Sequence, residues 1–220
     1  MAKGIISYSE LVEGTQKDLA QVGKVSTKSV HKHTGKNWSE WVSLLEKAGA
    51  RKWKYQQIVA FLKTKYKLTP WWQQGVALGF EIATGRRREG QDAKGNYMVT
   101  ATKSLACHVS KTWKLLTTKK GVDIWMLPVS KVSIKPGAQF ETTDGYFGEI
   151  RTMKVDRRVR MTWQDPLWDK PTTVELHLVP RPDDKSILVI NHTGLKDLKT
   201  KALFRERWRT AIDAIAGKLA

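Results

Sequence analysis

TTVELHLVPRPDDKSILVINHTGLKDLKTKALFRERWRTAIDAIAGKLA, residues 172–220, decides how this chain folds. Val174, Leu176 and Leu178 alternate with Thr173, Glu175 and His177, the period-two pattern of a half-buried strand. Pro182-Asp183-Asp184-Lys185 is a turn. Ile187, Val189 and Asn191 then carry an apolar face along the returning strand. From Leu198 to Leu219 the period changes. Phe204, Trp208, Ala211, Ile212, Ile215 and Leu219 form one stripe of a long helix. An antiparallel sheet with one apolar face must cover that face, and this helix is the only element long enough to do so.

The residues upstream supply the rest of the sheet. Val159, Met161 and Trp163 alternate with Arg158, Arg160 and Thr162. Gln139–Thr143 and Tyr146–Val155 flank Asp144-Gly145, a hairpin dipeptide. Val99, Ala101 and Leu105 alternate with Thr100, Thr102 and Ser104, while Lys103 interrupts the apolar face. SKTWKLL, residues 110–116, reads as a short helix capped by Ser110 with Trp113 and Leu116 inward. A second helical piece follows around Val122–Met126. A strand, two short helices, a run of strands and one long helix is α+β. The arrangement is a helix grip: a curved antiparallel sheet around a long C-terminal helix, an architecture that commonly leaves a cavity between the two.

A small all-α domain precedes it, over residues 26–85. Asn37 and Glu40 have capping-box spacing, and Trp41, Leu44, Leu45 and Ala48 recur behind them until Gly49. Tyr55, Ile58, Val59, Leu62 and Tyr66 make the next stripe. Thr69-Pro70 opens a helix bearing Trp72, Val76, Gly79, Phe80 and Ala83, and Gly85 closes it. Residues 1–25 read as a loose arm with one short helix at Tyr8–Ala20. Residues 86–96 read as a linker, and residues 97–220 as the helix-grip domain.

Composition bounds the function. The 220 residues carry a formal charge of +18 and ten tryptophans. The charge is spread evenly, with 16 Lys and Arg against 7 Asp and Glu up to residue 90, and 23 against 14 afterwards. Such a surface attracts anions, which brings nucleic acid, anionic membrane and acidic protein into view as partners. Cys107 is the only cysteine, so an intramolecular disulfide and a cysteine-based zinc site are excluded, and a reducing compartment fits. No signal peptide or membrane span is legible. The expectation is a cytoplasmic protein without a metal or cofactor.

The second half resembles the START-like (SRPBCC) superfamily, in the branch related to activators of the heat-shock-protein-90 ATPase. The matching pieces are VSKTWKLLT, GYFGEI, VRMTW, TTVELHLVP, ILVINHTGL and RWRTAIDAIAGKL, over roughly residues 95–220. TGKNWSEWVSLLEKAGA and KLTPWWQQGVALGFEIATGRR resemble a small helical domain of unassigned function that occurs fused to such domains. The resemblance implies a helix-grip fold and a hydrophobic ligand pocket. It implies no activity.

Three constellations could carry function. The first is a pocket for a hydrophobic or aromatic small molecule. Val99, Ala101, Phe140, Val159, Met161, Trp163, Leu176 and Leu178 would face Trp208, Ile212 and Ile215, with Asn191 as a placed polar group. These residues could equally fill a core. The second is histidine. A hairpin centred on the PDDK turn would set His177 opposite His192, with Glu175 on the same face. Neighbours on a strand face opposite ways, so Cys107 beside His108 reads as a buried structural thiol. The third is a basic surface for polyanions: Arg86, Arg87 and Arg88 after the helical domain, with Lys201, Arg205 and Arg209 along the last helix. No nucleophile elbow, phosphate loop or paired-carboxylate motif nominates a catalytic residue. The leading expectation is therefore non-catalytic binding of a small molecule. A nucleic-acid-binding module and a chaperone-associated interaction factor, anchored by Trp71 and Trp72, are the alternatives.

Overall fold

The computed structural model describes residues 19–126 and 133–219. The chain divides into two compact units, residues 1–95 and 96–220.

In the first unit a short ladder pairs β1 (Gln21–Val22) with β2 (Val25–Ser26). Four helices follow: α1 (Thr27–Thr34), α2 (Trp38–Lys47), α3 (Tyr55–Tyr66) and α4 (Pro70–Ala83), with a 3-10 turn at Ala50–Lys52. The Asn37–Glu40 capping box forms on α2 as its spacing predicts. Thr69 makes no side-chain cap bond, so the fixed φ of Pro70 starts α4 without help from the hydroxyl. Trp38, Trp41, Leu45, Ile58, Leu62, Val76 and Phe80 form the core. Two of its indoles are bonded: Trp38 Nε1 donates to the Val25 carbonyl at 2.9 Å, and Trp41 Nε1 to Thr34 Oγ1 at 2.8 Å. The expected arm helix at Tyr8–Ala20 lies outside the described residues except for Leu19 and Ala20, which are not helical.

The second unit runs β3 (Tyr97–Leu105), α5 (Val109–Thr117), α6 (Lys119–Trp125), β4 (Gln139–Glu141), β5 (Phe147–Lys154), β6 (Arg158–Trp163), β7 (Thr172–Arg181), β8 (Lys185–Leu195) and α7 (Leu198–Leu219). The six strands form one antiparallel sheet in the order β3-β8-β7-β6-β5-β4. All six apolar positions of the α7 stripe are buried. This is the helix-grip α+β fold, preceded by an all-helical region.

Two local readings need correction. On β8 the buried side chains are Ser186, Leu188, Ile190 and His192, whereas Ile187, Val189 and Asn191 lie on the other face. The run Ile187-Leu188-Val189-Ile190 is apolar on both faces, so composition gives it no phase. The turn sets the phase by pairing Arg181 with Lys185 and Pro180 with Ser186, and a one-residue slip exchanges every side chain between faces. His177 therefore sits opposite Val189, and His192 opposite Val174, so the two histidines face away from each other. At α5 the cap is His108, whose Nδ1 accepts from the Ser110 amide at 3.4 Å, and not Ser110 itself. Near the end of β8, Gly194 is the extra residue of a bulge. Its φ of +90° suits glycine, and the bulge returns Leu195 to the core opposite Tyr97.

Candidate functional site

The interior beneath α7 is aromatic. Trp163 on β6 lies 5.4 Å from Trp208 and 5.4 Å from Phe140 between ring centres, and Phe204 lies 5.4 Å from Tyr146. These separations are those of packed edge-to-face and tilted rings. Phe140, Trp163 and Trp208 are thus brought together. Val159, Met161, Leu176, Ile212 and Ile215 belong to the same buried cluster, as do Val99 and Leu178, and Ala101 packs against it partly buried. Asn191 is not part of it. It sits on the outer face, where its Oδ1 accepts from Thr100 Oγ1 at 2.8 Å.

A polar group that does face the interior is His192, which is fully buried. Trp208 Nε1 donates to its Nδ1 at 3.2 Å, and its Nε2 lies 2.8 Å from Thr172 Oγ1. An indole nitrogen can only donate, so Nδ1 must carry the lone pair and Nε2 the proton. Nε2 then donates to Thr172, whose hydroxyl donates to the Trp163 carbonyl at 2.6 Å. The chain Trp208–His192–Thr172–Trp163 runs in one direction with every proton placed. Burial first, and the Arg207 charge second, push the His192 pKa down to about 3, so the ring is neutral.

Arg207, from α7, lies over these rings. Its guanidinium carbon is 4.9 Å from the centre of Trp163, 5.3 Å from Tyr146, 5.7 Å from Trp208 and 6.0 Å from Phe204. Nη2 donates to the Met126 carbonyl at 3.0 Å, and Nη1 pairs with Asp144 on the β4–β5 turn. Arg207 Nε and Trp163 Nε1 are both buried without a hydrogen-bond partner among the described residues. Burial also raises the Tyr146 hydroxyl pKa, with Asp165 adding to the rise.

A pocket of about 140 Å³ opens where the β6–β7 loop, the end of β8 and the start of α7 meet. Trp168 and Thr172 line it, together with Leu167, Lys170, Gly194, Leu195, Lys196, Asp197 and Thr200. A Lys196–Asp169 ion pair of 2.6 Å adjoins this lining. Trp168 also packs against Tyr146 and Phe204, at 5.9 Å from each, so its indole touches both the pocket and the aromatic interior. Two larger and more open grooves lie elsewhere. One, of about 500 Å³, is lined by Leu44, Phe61 and Tyr66; the other, of about 700 Å³, by Phe140, Phe147 and Pro166. Neither is lined by Thr172, His192 or Trp208.

Sequence reasoning missed His192 as an inward group and missed Arg207 and Trp168 altogether. Arg207 had a legible signal: it stands between Phe204 and Trp208 on the helix, beside the apolar stripe. Four of the six basic residues considered for polyanion binding have partners. Arg86 donates to the Ala50 and Trp53 carbonyls at 2.9 and 2.6 Å. Arg87 pairs with buried Glu81 and lies 4.9 Å over Tyr55. Arg209 pairs with Glu206 at 2.6 Å, and Lys201 lies 5.2 Å over Tyr97, while Arg88 and Arg205 add charge at the surface. His177 bonds Glu175 on the outer face, as expected for that pair. Trp71 is 63% exposed, but Trp72 is buried and stacks on His33. Among the described residues no group of three or more His, Cys, Asp or Glu is placed to hold a metal ion, and no helix is long and apolar enough to cross a membrane.

Comparison with known proteins matches this architecture. No functionally curated protein matches the chain. Among solved structures, CalU16 from Micromonospora echinospora is 18% identical in its solution form, covering 56% of this chain and 65% of that one, with a TM-score of 0.50. The Aha1 dimer from Colwellia psychrerythraea is 12% identical, covering 56% of this chain and 95% of that one, also with a TM-score of 0.50. At such identities these likenesses establish the fold alone. Residues 26–73 match a domain of unknown function, DUF4287. Residues 106–220, more than half of the chain, match the model described as activator of Hsp90 ATPase homolog 1-like protein, and the chain belongs to that family.

Proposed function

We propose that the C-terminal unit binds a hydrophobic, planar small molecule between its sheet and α7, without catalysing a reaction. The observation that carries this reading is the buried polar chain Trp208–His192–Thr172–Trp163 in a largely apolar, aromatic-rich interior, with a pocket at its Thr172 end. Ligand sites are mostly apolar with a few placed polar groups, which is the composition here. A fold needing only a core would be served by an aliphatic residue at position 192, since apolar groups of the same shape in place of a buried hydrogen-bonded set leave stability nearly unchanged.

The pocket beside Thr172 holds about one ring, as cavities near 150 Å³ do. Trp168 is the side chain whose displacement enlarges it. Partly buried on a loop, Trp168 packs against Tyr146 and Phe204 by ring contacts, so a ligand ring of similar size replaces those contacts in kind.

Native mass spectrometry of freshly purified protein tests the reading. The expected spectrum shows excess mass over the denatured chain, of the size of a small organic molecule, lost on denaturation. A bare native mass, together with an unchanged melting temperature in the presence of indole, refutes it.

A further inference from the structure

Arg207 and its surroundings say more about the ligand than that it is planar. Deepening the small-molecule reading above and resting on it, we infer that the ligand carries a carboxylate or an equivalent anion, and that Arg207 receives this group in exchange for Asp144.

Three observations carry the inference. The Arg207 side chain is 14% exposed and lies over four aromatic rings, where a cation gains ring attraction but loses most of its water. A guanidinium so placed needs acceptors, yet among the described residues its Nε has none, and neither does the indole nitrogen of fully buried Trp163 beneath it. Two buried donors without acceptors in one cluster require explanation, because folded proteins satisfy nearly all such groups. A carboxylate brings two oxygens with about four lone-pair sites and fits that deficit.

The present counter-ion is also built to leave. Asp144 is 35% exposed, so water competes for it, and it sits on the tight turn between β4 and β5. Its other oxygen accepts from Thr142 Oγ1 at 2.6 Å, a bond it keeps when it releases Arg207. The route to the site leads through Trp168. Arg207 lies over Tyr146 and Phe204, the same two rings that Trp168 packs against, so a ring in the place of that indole sets an acidic arm beside the guanidinium. His192 is neutral at pH 7 and supplies no competing charge, and the overall charge of +18 draws anions toward the protein.

Indole-3-acetate and indole-3-acetamide test this, because they share the ring that Trp168 presents and differ in an anionic carboxylate against a neutral amide of the same size. Calorimetric titration of the full chain at pH 7 and low salt is expected to give about tenfold tighter binding of the acetate, the worth of one charge-assisted hydrogen bond. Arg207→Gln should lower the acetate to the affinity of the acetamide. Asp144→Asn, which removes the competitor and leaves Arg207 in place, should strengthen the acetate alone and serves if Arg207→Gln does not fold. Arg209→Gln, on the same helix and outside the site, should change neither. Equal affinities in the wild type overturn the inference and leave the small-molecule reading standing. So does a preference for acetate that falls with Arg209→Gln and ignores Asp144→Asn, since that is general surface attraction. Binding of neither compound overturns both.

Discussion

His192 shows how one donor-only neighbour fixes the chemistry of a buried ring. The Trp208 indole can only give a proton, so His192 must present a bare Nδ1 and keep its proton on Nε2. A second proton would have to enter at Nδ1, against the indole and beside Arg207. The folded pKa of about 3 lies below the ordinary 6.5, so between these values the unfolded chain takes up a proton that the folded chain refuses. The stabilisation is therefore complete above pH 6.5 and is lost as the pH falls toward 3, on the order of 5 kcal/mol over the whole span. Urea unfolding midpoints between pH 4 and 7.5 are expected to fall more steeply in the wild type than in His192→Gln, which keeps a donor and an acceptor but does not titrate. Parallel slopes would assign the acid sensitivity to other groups. The sequence shows why this residue was hard to place. Asn191 and His192 are adjacent polar residues ending an apolar run, and only pairing across the Asp183-Asp184 turn decides which one faces α7.

At the scale of elements, α2 and α4 approach closely where they cross. A Cβ on Gly79 of α4 would lie 2.3 Å from two ring carbons of Trp38 on α2. Trp38 cannot tilt away freely, because its Nε1 is bonded to the Val25 carbonyl. Gly79→Ala is expected to destabilise the helical unit by about 1–3 kcal/mol, the usual cost of overpacking, despite the better helix propensity of alanine. A lowered urea midpoint with tryptophan emission as the probe would show it; an unchanged or raised midpoint would mean that the helices separate without cost. Elements with one clear period were legible from the sequence: the six-residue stripe of α7, the alternation on β6 and β7, the capping box of α2 and the Asp144-Gly145 turn. Those whose polar and apolar residues do not alternate were not. On β8 both faces are apolar, and at α5 the helix begins one residue before the serine that best resembles a cap. The proposed site was half legible. Trp163 and Trp208 lie on periodic elements, whereas Trp168 comes from an aperiodic loop and Arg207 from a position that charge counting assigns to the surface.

At the scale of the whole molecule the ten tryptophans divide evenly, five in each unit. Trp38 and Trp41 in the first unit are core residues with satisfied N–H groups, and Trp71 is the one most open to solvent. In the second unit Trp125 donates to the Leu116 carbonyl at 3.0 Å and closes the α5–α6 corner. Trp163, Trp168 and Trp208 surround the proposed ligand site. The charge of +18 bears on the approach of anions to both units, but it names no nucleic-acid surface. Arg86 and Arg87, the best candidates for one, are engaged by carbonyls and by Glu81 within the helical unit. The indole resonances therefore report separately on core, surface and site. The most direct measurement is a titration of 15N-labelled full-length protein with indole-3-acetamide, following the tryptophan Nε1–H signals by NMR. Binding between sheet and α7 predicts that the Trp163, Trp168 and Trp208 signals shift together and saturate, while Trp38 and Trp41 stay in place. Signals that do not move, or a shift confined to Trp71, would contradict it.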